Sequence, residues 1–401
     1  MNPRHRLIVA MLCSLPALPA PGRAPAASVD ALRQLYDGAM TPAAEVEALS
    51  HTDRLLPVRI VRRGRAARAL PRRAEAFPPI RFMDHGRSFD LYDYLASNRV
   101  AGLLVIKDGA IAFEDYELGL TPASRWASFS MAKSVASTLV GAALADGRIA
   151  SLDDPVERYA PVLRGGVYAG VSIRQVLTMS SGVCWNETYT DPNSDRRKVL
   201  DLQIAQRPGA VLHHMNALRR CGPPGSIWNY NTGETFVLGA VIEGATHRPL
   251  ADYLSEKIWS KAGMEQDATW WVESPRGNGL AGSGLGATLR DYGRFALLAA
   301  NDGRIDGRAI VPPGWFREAG AARRIGGQPV DYGFMWWIPP QDEPIHAGAF
   351  EAIGIFGQFM YVNPREHLVI VVLSARSKPA ETARLELDDD AFFAAVATAL
   401  H

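Results

Sequence analysis

The stretch ASFSMAKSVAS, residues 127–137, places a lysine three positions after a serine among small and apolar residues. Apolar residues recur at helical spacing after it, as far as Gly147, which predicts a helix that Ser130 opens. Residues three apart share one face of a helix, so we expect the Lys133 ammonium to reach the Ser130 hydroxyl. A serine in the first helical turn also lies beside free backbone N–H groups, which stabilise a developing negative charge.

Two interpretations of this pair are open. In the first, Ser130 is a nucleophile and Lys133, desolvated among apolar neighbours, serves as the proton acceptor. In the second, Ser130 caps a helix and Lys133 is exposed on the next turn. A serine–lysine pair at this spacing is not specific by itself, because chance matches occur in a chain of 401 residues.

The bulk composition is that of an ordinary globular protein. Hydrophobic residues make up 47% of the chain and charged residues 21%. The length suggests two lobes, or one large domain with an insertion. A net charge of +1 gives no overall field that would attract nucleic acid or an anionic membrane. These features do not indicate an oligomeric state.

The first residues resemble an export signal. Arg4 and Arg6 precede the apolar run Leu7–Leu18, and Ala24-Pro25-Ala26 is similar to a signal cleavage site. We therefore predict a signal peptide over residues 1–26 and an exported bacterial protein, periplasmic or secreted, with no membrane span after cleavage. The alternative is an uncleaved membrane anchor, for which the apolar run is short.

Removal of the signal leaves two cysteines, Cys184 and Cys221. An even number of cysteines in an exported chain favours a disulfide between them. The alternative is a pair of buried, unlinked thiols.

Composition divides the rest of the chain into an N-terminal arm, residues 27–95, and a catalytic domain, residues 96–400. Within the arm, residues 58–79 are rich in arginine, but no aromatic residues interleave with these arginines, which favours a solvated connecting segment over a nucleic-acid or membrane patch. Two β-prone runs flank Lys107-Asp108-Gly109 and predict a hairpin.

The middle of the chain is mostly helical in pattern, and its end returns to strands and a terminal helix over residues 389–400. Strands at both ends with helices between them predict an α/β fold. Its α/β lobe comprises residues 96–145 and 300–400, and an inserted, mostly helical lobe comprises residues 146–299.

Four motifs occur in a fixed order, and together they are far more specific than the serine–lysine pair. They are SFSMAKSV (128–135), LTMSSGVCWNETYTDPNSD (177–195), YNTGETFVLGAVIE (230–243) and GAFEAIGIFGQFMYVNP (348–364). The chain thereby resembles the serine hydrolases related to class C β-lactamases, in particular the branch of 6-aminohexanoate-oligomer hydrolases and esterases. The resemblance spans residues 55–373 and implies a β-lactamase/transpeptidase-like fold, with an antiparallel sheet flanked by helices.

The family's second motif, Tyr-x-Asn, falls on Tyr230-Asn231-Thr232. The resemblance implies that the Tyr230 oxygen takes and returns the serine proton beside Lys133. A free phenol titrates near pH ~10, so we expect the ammonium to favour the phenolate. The alternative is a tyrosine that packs between lobes. Thr232 replaces the family's amide as a substrate contact, and Asn231 or Asn229 is the alternative donor.

The family's third motif, Lys-Thr-Gly, is absent. His346-Ala347-Gly348 and Ala349-Phe350-Glu351 are two candidate positions for it, and His346 is a candidate substrate contact. The missing lysine argues against penicillin as the substrate. The resemblance implies that a backbone N–H of Ala352 or Ile353 on this strand pairs with that of Ser130 as an oxyanion hole.

The loop after Ser-Ser-Gly covers the active-site mouth in the family. Tyr189 and Asp191 are the candidates for contact with the amine end of a substrate, and the alternative for Asp191 is a turn cap at Pro192-Asn193. Four tryptophans line an acyl pocket or belong to the core: Trp126, Trp228, Trp336 and Trp337.

Other hydrolase signatures are absent. The sequence has no G-x-S-x-G elbow, no S-D-N with K-T-G, and no H-E-x-x-H zinc site. We therefore predict a serine hydrolase that cleaves small esters or linear amides through an acyl-enzyme on Ser130, without a metal or an organic cofactor. The alternatives are a β-lactamase or D-peptidase, and a non-hydrolytic, penicillin-binding-like sensor.

Overall fold

The computed structural model describes residues 29–379 and 386–401, so the predicted signal peptide lies outside the described residues. The helices are α1 (Val29–Tyr36), α2 (Pro42–Ser50), α3 (Leu91–Ser97), α4 (Met131–Ala145), α5 (Ile173–Leu177), α6 (Asp195–Ala205), α7 (Ala210–Asn216), α8 (Thr232–Thr246), α9 (Leu250–Leu254), α10 (Leu289–Ala300), α11 (Trp315–Ala319) and α12 (Asp389–Ala399). The strands are β1 (Val58–Val61), β2 (Arg81–Asp84), β3 (Arg87–Asp90), β4 (Val100–Lys107), β5 (Ala110–Tyr116), β6 (Trp126–Ala127), β7 (Ala268–Trp271), β8 (Leu285–Ala287), β9 (Arg304–Ile305), β10 (Arg308–Ala309), β11 (Arg323–Ile325), β12 (Gln328–Val330), β13 (Phe350–Gly354), β14 (Gln358–Asn363) and β15 (Leu368–Ser374).

The main sheet is antiparallel and has the strand order β13-β14-β15-β4-β5, so the two ends of the chain meet in it. The predicted hairpin joins β4 to β5, and Asp108 and Gly109 at its turn have φ of 52° and 77°. Two-residue hairpin turns favour residues that tolerate positive φ, which explains Asp-Gly here. Strand β15 is buried along its whole length because α10 covers one face and α12 lies over the other.

Helix α4 lies between this sheet and α8, and residues Met131–Ala143 are all buried. A helix that is apolar all round must be covered on every side. Gly141 allows the indole of Trp315 to approach, since a Cβ there would lie 2.7 Å from the ring. The first turn of α4, which carries Ser130, is thereby held rigidly between the two lobes.

The division into lobes differs from the predicted one. A second antiparallel sheet, in the order β1-β7-β8-β6, takes two strands from residues 146–299 and one from the predicted arm. Helix α10 was expected in the helical lobe, but it packs on β4, β14 and β15. The arginine-rich stretch of the arm is exposed or half-buried from residue 62 to residue 79, as predicted, whereas Leu32, Leu35 and Leu49 at the start of the arm are buried in the main core. Short strands that pair across about two hundred residues leave little local pattern to detect.

Cys184 and Cys221, the pair expected to be linked, form a disulfide with a Cα–Cα distance of 5.0 Å. The adjacent residues Val183 and Arg220 form an isolated antiparallel bridge. The disulfide therefore ties the Ser-Ser-Gly loop to the segment that leads into Tyr230. Across residues 29–379 and 386–401, no helix combines the length and the apolar character that crossing a membrane requires.

Candidate active site

Ser130 is the N-cap residue of α4, and Lys133 lies one turn further along. The Lys133 Nζ donates to the Ser130 Oγ at 2.8 Å and to the carbonyl oxygen of Gly282 at 3.1 Å. Only 1% of Lys133 is exposed. The interpretation in which this lysine is a solvated side chain is therefore wrong.

Burial dominates the electrostatics of Lys133. It lowers the pKa of the amine to about 7, the negative charge of Glu187 opposes that shift, and the positive charge of Arg196 adds to it. Within the described chain, no carboxylate lies at ion-pair distance from Lys133. A large fraction of the amine is therefore neutral at neutral pH and able to accept a proton.

The residue before Ser130 has an unusual backbone conformation. Phe129 has a φ of 42°, which is unfavourable for a residue with a side chain. Its ring packs edge-on against Phe356 and Trp271, with centroids at 4.9 and 6.2 Å. Among the described residues, no acceptor takes a hydrogen bond from the N–H of Ser130. This turn therefore presents both a hydroxyl and a free donor.

Tyr230 completes the cluster. The Lys133 Nζ lies 5.2 Å from its ring centroid, and Ser130 is close enough to influence the pKa of its hydroxyl. The ring stacks on Trp337 at 5.3 Å and meets Tyr332 edge-on at 5.9 Å. The structure thus brings together the serine, the lysine and the phenol that the sequence singled out.

The expectation that the Tyr230 side chain is a phenolate is wrong. Burial, and secondarily the negative charge of Glu187, raise the pKa of Tyr230, so the phenol keeps its proton. Burial also disfavours the charged form of Lys133, which removes the ammonium that was expected to stabilise a phenolate. The two shifts favour a neutral amine and a protonated phenol at neutral pH.

Glu187 is a site residue that sequence reasoning missed. Its carboxylate accepts from the backbone N–H of Thr232 at 2.9 Å, from the Thr232 hydroxyl and from the indole of Trp185. Thr232 is therefore engaged in positioning Glu187, and its hydroxyl is not free for a substrate as predicted. A single glutamate in a loop produces no periodic signal, so only the tertiary contacts identify it.

The two alternative amide donors differ. Asn229 donates to the carbonyl oxygen of Trp185 at 3.1 Å. The Asn231 Oδ1 caps α8 by accepting from the N–H of Glu234 at 3.2 Å, while its Nδ2 is buried without a partner in the described part of the chain. Of the two, Asn231 keeps a free amide donor.

The structure gives the two loop candidates, Tyr189 and Asp191, different roles. Tyr189 is buried with its ring centroid 6.2 Å from that of Tyr36, and the negative charge of Glu187 adds to the effect of burial in raising its pKa. It therefore lies beside the site. The Asp191 carboxylate accepts from the backbone N–H of Asn193 at 2.9 Å, which is the turn-cap role.

His346 does not reach the site. It is fully buried, and its Nδ1 lies 2.9 Å from the Tyr361 hydroxyl, beneath α12 on the face of the sheet away from α4. The prediction placed it by resemblance of residue type to the missing motif. The alternation of side chains along the neighbouring strand decides instead which face each residue occupies.

Strand β13 presents its free edge to Ser130. Glu351 exchanges two backbone hydrogen bonds of 2.8 Å with Trp337 at that edge. Residues two apart share an edge, so the N–H of Ile353 lies on the same side, whereas that of Ala352 points towards β14. A Cβ on Gly354 would lie 2.6 Å from the carbonyl oxygen of Ser128, which places the edge against the turn before Ser130. Of the two predicted donors, this register favours Ile353.

The tryptophans divide into two pairs. Trp228 and Trp337 are partly buried, with ring centroids 6.1 Å apart next to Tyr230, while Trp126 and Trp336 are fully buried in the core. An apolar wall therefore adjoins the phenol. In the part of the chain that the structure describes, no group of three or more metal-ligating side chains is placed to hold an ion.

Comparisons with known proteins agree with this geometry. Residues 93–395 match the Beta-lactamase family. The chain is 31% identical over 308 residues to 6-aminohexanoate-dimer hydrolase of Paenarthrobacter ureafaciens, an alignment that covers 72% of this chain and 76% of that protein.

Solved structures share the fold. A Bacillus anthracis protein provisionally assigned as a 6-aminohexanoate-dimer hydrolase superposes with a TM-score of 0.73 at 24% identity, covering 84% of this chain and 89% of that one. EstCE1, a hydrolase with promiscuous acyltransferase activity, superposes with a TM-score of 0.58 at 14% identity, covering 77% and 96%. The fold is thus the β-lactamase/transpeptidase-like one, and the chain belongs to the β-lactamase family as a hydrolase homologous to 6-aminohexanoate-dimer hydrolase.

Proposed function

We propose that this protein is a serine hydrolase that cleaves small esters or linear amides through an acyl-enzyme on Ser130. The observation that carries the proposal is the 2.8 Å contact between the Lys133 Nζ and the Ser130 Oγ in a buried environment. A nucleophilic serine needs an adjacent base, and a desolvated amine with a pKa of about 7 can accept a proton at neutral pH.

The acylation step follows from this arrangement. Neutral Lys133 takes the hydroxyl proton as the Ser130 Oγ bonds to the substrate carbonyl carbon. The resulting oxyanion accepts hydrogen bonds from the N–H groups of Ser130 and Ile353, each worth about 3 kcal/mol in barrier height. When the tetrahedral intermediate collapses, the bond to the leaving oxygen or nitrogen breaks. The Tyr230 phenol protonates the leaving atom and recovers a proton from the Lys133 ammonium.

Deacylation uses the same groups. Lys133, neutral again, takes a proton from water as the water oxygen attacks the acyl carbon. The ester bond to Ser130 breaks, the proton returns to the Ser130 Oγ, and the acid is released. Each group ends in its starting state, so the cycle needs no further reactant.

Two features support small esters or linear amides as substrates. The curated relative is named for hydrolysis of an amide-linked dimer, and Trp228 with Trp337 forms an apolar wall beside Tyr230. The disulfide between Cys184 and Cys221 supports the further proposal that the protein is exported to an oxidising compartment.

A fluorophosphonate probe tests the proposal directly. We expect one probe molecule per chain, attached to Ser130 in the labelled peptide, and no labelling of the Ser130→Ala variant. Turnover of p-nitrophenyl butyrate by the same preparations separates a hydrolase from a sensor, because a sensor acylates once and stops. Equal labelling of both proteins, or labelling without turnover, would refute the hydrolase.

The pH dependence of kcat/KM is expected to follow the protonation of Lys133. We predict that kcat/KM for a neutral ester rises with pH through a midpoint near 7, because burial lowers the pKa of Lys133 to about 7 and only the neutral amine accepts a proton. Tyr230, whose pKa burial raises, stays protonated over the same range and adds no second limb. Initial rates between about pH 5 and 9 measure this, and a flat profile there contradicts a lysine base.

A further inference from the structure

Arg196, in the first turn of α6, is a buried cation without an anionic partner. It is 1% exposed, and no carboxylate of the described chain lies within ion-pair distance. Each of the other buried arginines contacts a carboxylate: Arg197 contacts Asp37, Arg294 contacts Asp291 and Glu265, and Arg376 contacts Asp389. A cation is also unfavourable at the positive end of a helix dipole. Arg196 is thus the exception among the buried arginines of the described chain.

The hydrogen bonds of Arg196 leave donors unused. Its Nη2 donates to the Tyr36 hydroxyl oxygen, and the guanidinium lies 4.7 Å from the centroid of the Tyr36 ring. Its Nη1 is buried and has no partner among the described residues. The Tyr36 hydroxyl accepts from Arg196, and within the described chain its own proton has no acceptor. Two adjacent donors are therefore unsatisfied.

These donors adjoin the nucleophile. The Tyr36 ring lies 6.2 Å from the ring of Phe129, the residue before Ser130, and 6.2 Å from the ring of Tyr189. The charge of Arg196 also lowers the pKa of both Lys133 and Tyr230, which shows that its field reaches the reacting groups.

We propose that Arg196 and the Tyr36 hydroxyl bind a carboxylate of the substrate, so that the enzyme prefers esters or amides with a second, anionic end. A guanidinium N–H and a neighbouring hydroxyl match the two oxygens of a carboxylate. Glu187, whose negative charge also acts on Tyr36 and Lys133, disfavours a single head group that carries two charges, such as a phosphate monoester. This assignment rests on the proposed hydrolysis at Ser130, and it supplies a cation where the third-motif lysine is missing.

Matched ester pairs test the preference. One pair places the carboxylate in the acyl chain, mono-p-nitrophenyl adipate against p-nitrophenyl hexanoate. The other places it in the leaving group, the hexanoyl ester of 4-hydroxybenzoate against that of 4-hydroxybenzamide. The variant Arg196→Met removes the charge and keeps much of the stem. Arg33→Met is the matched control. Arg33 is a partly exposed arginine of α1, and it pairs with Asp201, which lies on α6 as Arg196 does.

We expect the wild type to favour the anionic ester in at least one pair. In Arg196→Met, the ratio of kcat/KM for anionic over neutral ester should fall by about 10- to 150-fold, the range for a charged hydrogen bond. The neutral ester reports any general effect of losing this charge on Lys133 and Tyr230, and Arg33→Met should keep the wild-type ratio. Comparing ratios between variants cancels the intrinsic reactivity of the esters. The absence of any preference in the wild type, or its survival in Arg196→Met, overturns the proposal.

A binding measurement separates this proposal from the hydrolase itself. In Ser130→Ala, which cannot turn over, adipate should raise the melting temperature and adipamide should not. Adding Arg196→Met should abolish the adipate effect, and Arg196→Lys should retain part of it. Failure of all ester turnover in the wild type refutes the hydrolase and leaves this measurement intact. If adipate does not raise the melting temperature of Ser130→Ala more than adipamide does, the carboxylate site is refuted, whether or not Arg196→Met folds.

Discussion

Replacing Lys133 with methionine is expected to lower kcat/KM for p-nitrophenyl butyrate by about 10⁴-fold or more. The Lys133 Nζ is the group closest to the Ser130 Oγ that can take its proton, and methionine keeps the volume of the stem without a basic nitrogen. Removing a member of a nucleophile–base pair typically costs nearly as much as removing the pair, because the members act as a unit.

The fold should survive this change. The ammonium form of Lys133 is disfavoured by burial, so an apolar side chain of similar size removes a desolvation cost. We expect the melting temperature of Lys133→Met to equal or exceed that of the wild type. Lys261→Met, at an exposed lysine, is the matched control and should keep full activity. Substantial turnover by folded Lys133→Met would demote this lysine to a structural role.

Replacing Tyr230 with phenylalanine is expected to impair amides far more than activated esters. The phenol keeps its proton and protonates the leaving atom, which an amine needs and a p-nitrophenolate does not. We expect kcat/KM for a linear amide to fall by about 10³-fold and that for a p-nitrophenyl ester by less than about tenfold. Parallel assays of both substrates measure the difference.

A nearby tyrosine supplies the control for Tyr230→Phe. Tyr332 meets the Tyr230 ring edge-on at 5.9 Å, so Tyr332→Phe tests whether loss of any hydroxyl in this aromatic cluster has the same effect. We expect it to leave the amide-to-ester ratio unchanged. Equal losses on both substrates in Tyr230→Phe would show instead that the phenol takes part in the attack on the carbonyl.

Local rules were enough for several predictions. The Ser130–Lys133 contact follows from helical spacing, and the β4–β5 hairpin follows from Asp-Gly between two β-prone runs. The motif order identified the family and brought Tyr230 into the cluster. Each of these depends on residues close in the chain, or on motifs whose order is visible in it.

Predictions that required the path of the chain in three dimensions went wrong. His346 was expected at the substrate, but the main sheet places it on the opposite face, beneath α12. Thr232 was expected to contact substrate, but it holds Glu187. No role at the site was predicted for the arm, but its first helix places Tyr36 against Phe129.

The sequence by itself determined the serine–lysine pair, the candidate tyrosine and the family, because helical spacing and ordered motifs are written along the chain. Only the tertiary structure decided which protonation state of the amine and of the phenol is favoured. Burial lowers the pKa of Lys133 and raises that of Tyr230, and burial is a property of neighbours that come from distant segments. For the same reason, the sequence alone did not identify Arg196 as a candidate site residue. That it is a buried cation lacking a counter-ion becomes visible only when every group around it has been placed.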